Sequence, residues 1–210
     1  MSAHDGDNSA HDCLHRHLTD LEVALARLHA EVDLVDRWGK HLAQVLSGGG
    51  RLLAAGNGGS AAHAQHLTAE LVGRYRAERR PLSALSLHAD TSALTAIIND
   101  YGPDEAFARQ VRAHGRPGDV LVCLSTSGQS SNVLAAVSAA HSIGLTVWAF
   151  TGRAPNALAI AADDALCVSG ATPTVQEIHQ AGIHLLCESV DLHLARLDAT
   201  TRAVPSEVRL

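Results

Sequence analysis

Arg51-Leu52-Leu53-Ala54-Ala55-Gly56-Asn57-Gly58-Gly59-Ser60 runs from a short apolar stretch into a glycine-rich turn, and helix-like sequence carrying His66 and Glu70 follows at once. A strand that ends in glycines and feeds a helix is the opening unit of a parallel α/β sheet. Glycines at the carboxyl end of such a strand let backbone N–H groups approach an anion, at the edge where open α/β sheets bind ligands. The turn is neither GxGxxG nor a P-loop with its Lys, so it gives no indication of nucleotide binding. Taken alone, it serves a chain reversal as well as it serves a ligand.

Downstream the same alternation repeats. Apolar runs at 51–55, 82–87, 120–124, 146–150 and 165–168 read as strands, and helix-like sequence follows at 60–76, 91–99, 104–113, 130–143, 156–162 and 175–197. This order predicts an α/β fold with a parallel sheet and helices on both faces. Upstream, Leu18, Leu21, Leu25, Leu28, Val32, Val35, Leu42 and Leu46 step by threes and fours, which predicts a long helical arm over about 12–46 that Gly48-Gly49-Gly50 ends. Gly39 interrupts that stripe as a kink or a close contact. An arm of this length either packs on a partner subunit or lies as an amphipathic helix, or pair of helices, on its own domain. Residues 1–10 and 199–210 read as loose tails around a single domain at 11–198.

The chain has 210 residues, enough for one well-buried domain, and no Pro- or Ser-rich linker divides it. Aromatics make up 3% and the formal charge is −6, which argues against a stacking surface for single strands and against a general polyanion binder. Nucleic acid is therefore not expected as a partner. No stretch is apolar for long enough to span a bilayer, so no membrane association is expected either. The His-rich polar N-terminus has no basic leader, and Cys13, Cys123, Cys167 and Cys187 show no CxxC spacing; both point to a reducing, cytoplasmic setting.

Two further segments carry chemistry. His66 and Glu70 share one helical face, a turn apart, and can reach a common ion or substrate. Gln176-Glu177-Ile178-His179 with His184 forms a second cluster, in which Gln176 and His184 stand eight residues and about 12 Å apart along a straight helix. They reach one ion if it sits between the side chains or if the helix is irregular; otherwise they serve sites in different subunits. The strand at 120–124 ends in Ser125-Thr126-Ser127-Gly128-Gln129-Ser130 before another helix. One hydroxyl suffices for an N-cap, so four exceed that need and suit a monophosphate held without Arg or Lys.

With Gly56-Asn57-Gly58-Gly59-Ser60, Ala64-Gln65-His66, Ala69-Glu70-Leu71, Asn99-Asp100, Ser125-Thr126-Ser127-Gly128 and Gln176-Glu177-Ile178-His179 with His184 in this order, the chain resembles the sugar isomerase (SIS) domain of the phosphoheptose isomerase family over about 21–194. The resemblance implies a three-layer αβα sandwich around a five-stranded parallel sheet, a homotetramer with sites between subunits, and aldose-ketose isomerisation of a heptose 7-phosphate. It implies a phosphate cradle of Ser125, Thr126, Ser127 and Ser130. It also implies sugar contacts from Asn57, Gly58, Gly59, Ser60, Glu70, Asn99, Asp100 and Gln176, and one zinc ion per subunit held by His66, Glu70, Gln176 and His184. Glu70 is the natural base and His184 the natural acid for moving a proton through an enediol, with Glu70 ranked as base above ligand only.

The chain departs from that family's pattern at His63, where Asp is usual, at Gln129, where Asn is usual, and at Pro173-Thr174-Val175, where charged residues are usual. These departures bear on the substrate more than on the type of reaction. The alternatives are an isomerase or lyase of the same fold acting on another sugar phosphate, and a non-catalytic adaptor of the replication-initiator-binding type. The presence of Glu70 and His184 favours catalysis. His179 reads as a supporting or interface residue, and His88 and His193 carry no assignment.

Overall fold

The computed structural model describes residues 5–203. Five parallel strands, β1 (Leu52–Gly56), β2 (Ala84–Ser86), β3 (Val120–Ser125), β4 (Thr146–Thr151) and β5 (Asp164–Cys167), form one sheet in the order β2-β1-β3-β4-β5. Alternate strand residues face opposite layers. Leu52, Ala54, Val120, Val122, Leu124, Trp148, Phe150 and Leu166 pack under α2 (Val32–Ser47), α3 (Gly59–Val72) and α8 (Thr172–Ala203). Leu53, Ala55, Leu121, Cys123, Val147 and Ala149 pack under α5 (Glu105–His114), α6 (Ser131–Ser142) and α7 (Ala157–Ala161). The remaining helix, α4 (Thr91–Tyr101), follows β2 and is capped by Asp90, whose carboxylate accepts from the Ala93 N–H. The architecture is the three-layer αβα sandwich expected.

The N-terminal arm is two helices rather than one. α1 (Asp5–Leu28) and α2 are joined by a 3₁₀ turn at His29–Glu31, so the α-helix is interrupted there and runs unbroken through Gly39. That turn lets Ala24 and Leu28 from one helix, and Leu34, Val35, Trp38, Leu42 and Leu46 from the other, reach a common core with α8. Gly39 marks a close contact: a Cβ there would lie 2.2 Å from Ser189 Oγ on α8. Trp38 stacks on Trp148 with ring centroids 5.0 Å apart and donates its indole N–H to Asp164, fixing the arm to the sheet.

The boundaries placed at 10 and 199 fall inside helices. α1 is helical from Asp5, and α8 runs to Ala203, since no Gly or Pro stands between Gly182 and Pro205 to stop it. The other residues read as loose tails, 1–4 and 204–210, lie outside the described residues. Strand and helix positions otherwise follow the pattern of the sequence. The helix expected at 60–76 stops at Val72, before Gly73, and the run at 82–87 is regular strand only over Ala84–Ser86, with the Ser83 carbonyl and the Leu87 N–H extending its hydrogen bonds to β1.

Candidate active site

The sheet order reverses between β1 and β3, and the crevice outside the carboxyl ends of these two strands is where this class of sheet binds ligands. Both chemistry-bearing turns open there. After β1, Gly58 adopts φ +54, and α3 starts at Gly59. Gly59 is open on one side only: a Cβ there would stand 2.4 Å from Gln176 Nε2, so Gln176 of α8 lies directly over the turn. Asn57 exchanges two hydrogen bonds with Asn132 of α6, at 2.9 and 3.0 Å, which join the glycine turn to the helix after the serine turn.

After β3, three hydroxyls converge. Ser125 Oγ lies 3.1 Å from Ser130 Oγ and 3.4 Å from Ser127 Oγ, and it accepts from the Gly128 N–H at 3.2 Å. Ser130 occupies the N-cap of α6 but makes no side-chain cap hydrogen bond, so its hydroxyl turns into the cluster instead of closing the helix. A helix N-terminus and a knot of hydroxyls then face the same crevice, suited to a phosphate. Thr151, buried at the end of β4, donates its hydroxyl to the Ser125 carbonyl at 2.9 Å and steadies the turn.

Two helical turns into α3, His66 and Glu70 face α8. His66 Nε2 lies 3.3 Å from Glu70 Oε1 and 2.9 Å from His184 Nε2, and one ligand atom from each of the three falls within 4.8 Å of the others. Tetrahedral zinc with bonds near 2.1 Å separates its ligand atoms by about 3.4 Å, so two imidazoles and a carboxylate at this spacing fit such an ion in both chemistry and reach. Tyr75 packs its ring 5.7 Å from that of His184. Gln180 bonds His184 Nε2 at 2.9 Å, one turn away on the same helix.

α8 is one uninterrupted helix, so Gln176 and His184 stay two turns apart, the first over Gly59 and the second beside His66. Thus His66, Glu70 and His184 come together in one chain, and Gln176 stands at the glycine turn. Ser60 is buried against Gly56, where a Cβ would approach its Cβ to 2.9 Å. Asn99 and Asp100 bond each other on the exposed last turn of α4, and none of the hydrogen bonds among the described residues ties them to either turn. Thr126 is half-buried between Ser125 and Ser127.

The histidine at the first departure from the pattern, His63, is half-buried with Nδ1 unpartnered, and burial and the nearby His66 hold its pKa below the ordinary value. His179 is fully buried and donates Nε2–H to the Thr151 carbonyl at 3.2 Å; burial brings its pKa down to about 4. It is a structural tie between α8 and β4, in keeping with the supporting role expected. His193 bonds Asp36 at 3.0 Å and is likewise structural. At the other departure, Thr174 and Val175 are buried under the first turn of α8, where Pro173 is tolerated.

A family model describing the SIS domain matches residues 18–152. The chain belongs to the SIS-domain family. Among its relatives, a phosphoheptose isomerase of Streptomyces coelicolor is 60% identical over 191 residues, spanning 90% of this chain and 83% of that protein. The solved phosphoheptose isomerase from Neisseria gonorrhoeae superposes with a TM-score of 0.79 at 40% identity, covering 87% of this chain and 99% of that one. Another from Francisella tularensis gives 0.76 at 34% identity, covering 91% and 100%. The phosphoheptose isomerase branch of the SIS family is therefore where this chain lies.

Asn132 and Gln180 were not among the residues singled out from the sequence. Gln180 had a signal, since it lies one turn before His184 on the same face; Asn132 had none, because its partner is 75 residues away.

Proposed function

We propose that this chain is an aldose-ketose isomerase that interconverts sedoheptulose 7-phosphate and D-glycero-D-manno-heptose 7-phosphate, the first step towards nucleotide-activated heptose. The observation that carries the proposal is the meeting of Glu70 with His66 and His184 in the same chain that folds Ser125, Ser127 and Ser130 into a hydroxyl cluster. The cradle holds the phosphate through hydroxyls and helix N–H groups. Asn57, Gly58, Gly59, Ser60 and Gln176 contact the sugar, and Asn99 and Asp100, on the exposed end of α4, are assigned to it by the family resemblance alone. Glu70 takes the proton from C1 of the ketose and returns it to C2. His184 protonates the C2 oxygen and accepts the proton lost by the C1 hydroxyl, so the reaction needs no oxidant or reductant.

His66, Glu70 and His184 would hold one zinc ion per subunit; the family resemblance gives the fourth place to Gln176, which stands two turns away on the straight α8 and would reach that ion only by extending back from the glycine turn. Bound there, zinc would supply Lewis-acid stabilisation of the enediolate oxygens. The apolar side chains exposed on α1 and α8, Leu14, Leu18, Leu25, Leu185 and Leu192, support a homotetramer. A groove of about 430 Å³ lined by Leu25, Val32 and Leu185 also has His184 in its wall, which favours sites at subunit boundaries. Sedimentation equilibrium should give the mass of four chains, and a 22.0 kDa species would contradict it. A phosphorylated substrate and four free cysteines, Cys13, Cys123, Cys167 and Cys187, suit the cytoplasm.

The direct test is Glu70→Gln, which removes the base while keeping shape. It should lower turnover of sedoheptulose 7-phosphate by at least about 1,000-fold with an unchanged circular dichroism spectrum. A fully active Glu70→Gln enzyme would refute the assignment.

A further inference from the structure

Arg79 lies in the segment between α3 and β2, yet its side chain is only 12% exposed. Its guanidinium is committed on three sides. Nε donates to Asp191 Oδ1 at 2.7 Å, Nη2 to the Glu70 carbonyl at 2.7 Å, and Nη1 to the Leu71 carbonyl at 2.9 Å, with longer contacts to the Arg80 and Gly73 carbonyls at 3.2 and 3.4 Å. The last carbonyls of a helix have no partner within it, so a cation at the end of α3 has an obvious capping role. Capping alone does not require Asp191. That residue sits seven positions beyond His184 on α8, two turns along nearly the same face.

One planar fork therefore grips the backbone of Glu70 with one arm and the His184 face of α8 with the other. The Glu70 carboxylate has little else to place it: among the described residues its recorded partner is His66, at 3.3 Å. Its position relative to His184 depends on how the end of α3 is fixed against α8. We infer that Arg79 is a positioning residue that sets the distance between Glu70 and His184, acting with Asp191. The inference rests on the proposal that these two residues form the acid–base pair and contribute to the ion site. A Lys would keep the charge but could not span both helices, because the fork supplies directed donors that an ammonium lacks.

The test uses the purified full chain and two readouts: zinc affinity of the metal-stripped protein by competition with a chromophoric chelator, and kcat and KM for sedoheptulose 7-phosphate. Arg79→Ala should weaken zinc binding and lower kcat, each by about 10- to 100-fold, with KM changed less than about threefold. Arg79→Lys should recover only part of this loss. Asp191→Asn should shift both readouts in the same direction, and adding it to Arg79→Ala should cost nothing further. A folded Arg79→Ala with zinc affinity and kcat within twofold of the parent would overturn the inference. If that variant does not fold, Asp191→Asn decides on the same criteria. Glu70→Gln, run in parallel, separates the two claims. Full turnover and zinc affinity in Glu70→Gln would bring down the site itself, whereas a dead Glu70→Gln beside an unaffected Arg79→Ala would remove only the positioning role.

Discussion

At the scale of single residues, the serine turn makes the sharpest demand. Ser127 is the exposed member of a cluster whose other hydroxyls, on Ser125 and Ser130, are more enclosed, and its Oγ, which accepts from the Gln129 N–H at 3.2 Å, keeps its own O–H free to donate to a phosphate. Removing one hydrogen bond to a charged group costs about 1.5 to 3 kcal/mol, or roughly 10- to 100-fold in affinity. Ser127→Ala should therefore raise KM by that factor with kcat nearly unchanged, and inorganic phosphate should inhibit the variant correspondingly less. A fall in kcat at constant KM would place Ser127 at the reacting carbons instead. The hydroxyls were legible from the sequence because four of them crowd one helix start. The second hydrogen-bonding layer was not: Asn132 meets Asn57 across 75 residues, and Arg79 meets Asp191 across 112, separations over which no local period carries information.

At the scale of elements, α8 is the spine of the molecule, carrying Gln176, His179, Gln180, His184 and Asp191 along the layer shared with α2 and α3. Its fit against α2 is close at Gly39, where a methyl would meet Ser189 Cβ at 2.4 Å and the backbone behind it at 3.1 Å. Because the backbone is in the way as well as the hydroxyl, Gly39→Ala should cost about 1 to 3 kcal/mol, outweighing its gain in helix propensity of about 1 kcal/mol. Urea denaturation would read this as a lower midpoint at constant m-value. An unchanged or higher midpoint would show that the helices separate freely. The strands and the helices after them were plain in the sequence, since periods of two and near 3.6 are local properties. The break at His29–Glu31 was not, because the apolar stripe runs through it unbroken and only packing on α8 requires the turn.

For the whole molecule, buried histidines couple stability to pH. His179 has a folded pKa of about 4, below the ordinary 6.5, because burial disfavours its charged form; His63 and His88 are lowered for the same first reason. A folded value below the unfolded one means that the unfolded chain binds the proton more readily. These groups thus leave stability intact above pH 6.5 and erode it as pH falls from 6.5 towards 4. The His179 contribution over that window is about 3 kcal/mol, and it should appear as a steep fall in Tm that His179→Asn, already destabilised at neutral pH, shows less steeply. Equal slopes in the two proteins would rule His179 out as the cause.

The central claim concerns a proton moved within one substrate. The most direct measurement is NMR of sedoheptulose 7-phosphate incubated with the purified protein in D2O, before and after chelation and with zinc restored. The aldose should form with deuterium entering at the carbon beside the carbonyl, and its formation should be lost on chelation and regained with zinc. Absence of any aldose under every metal condition, in a folded protein, would contradict that claim.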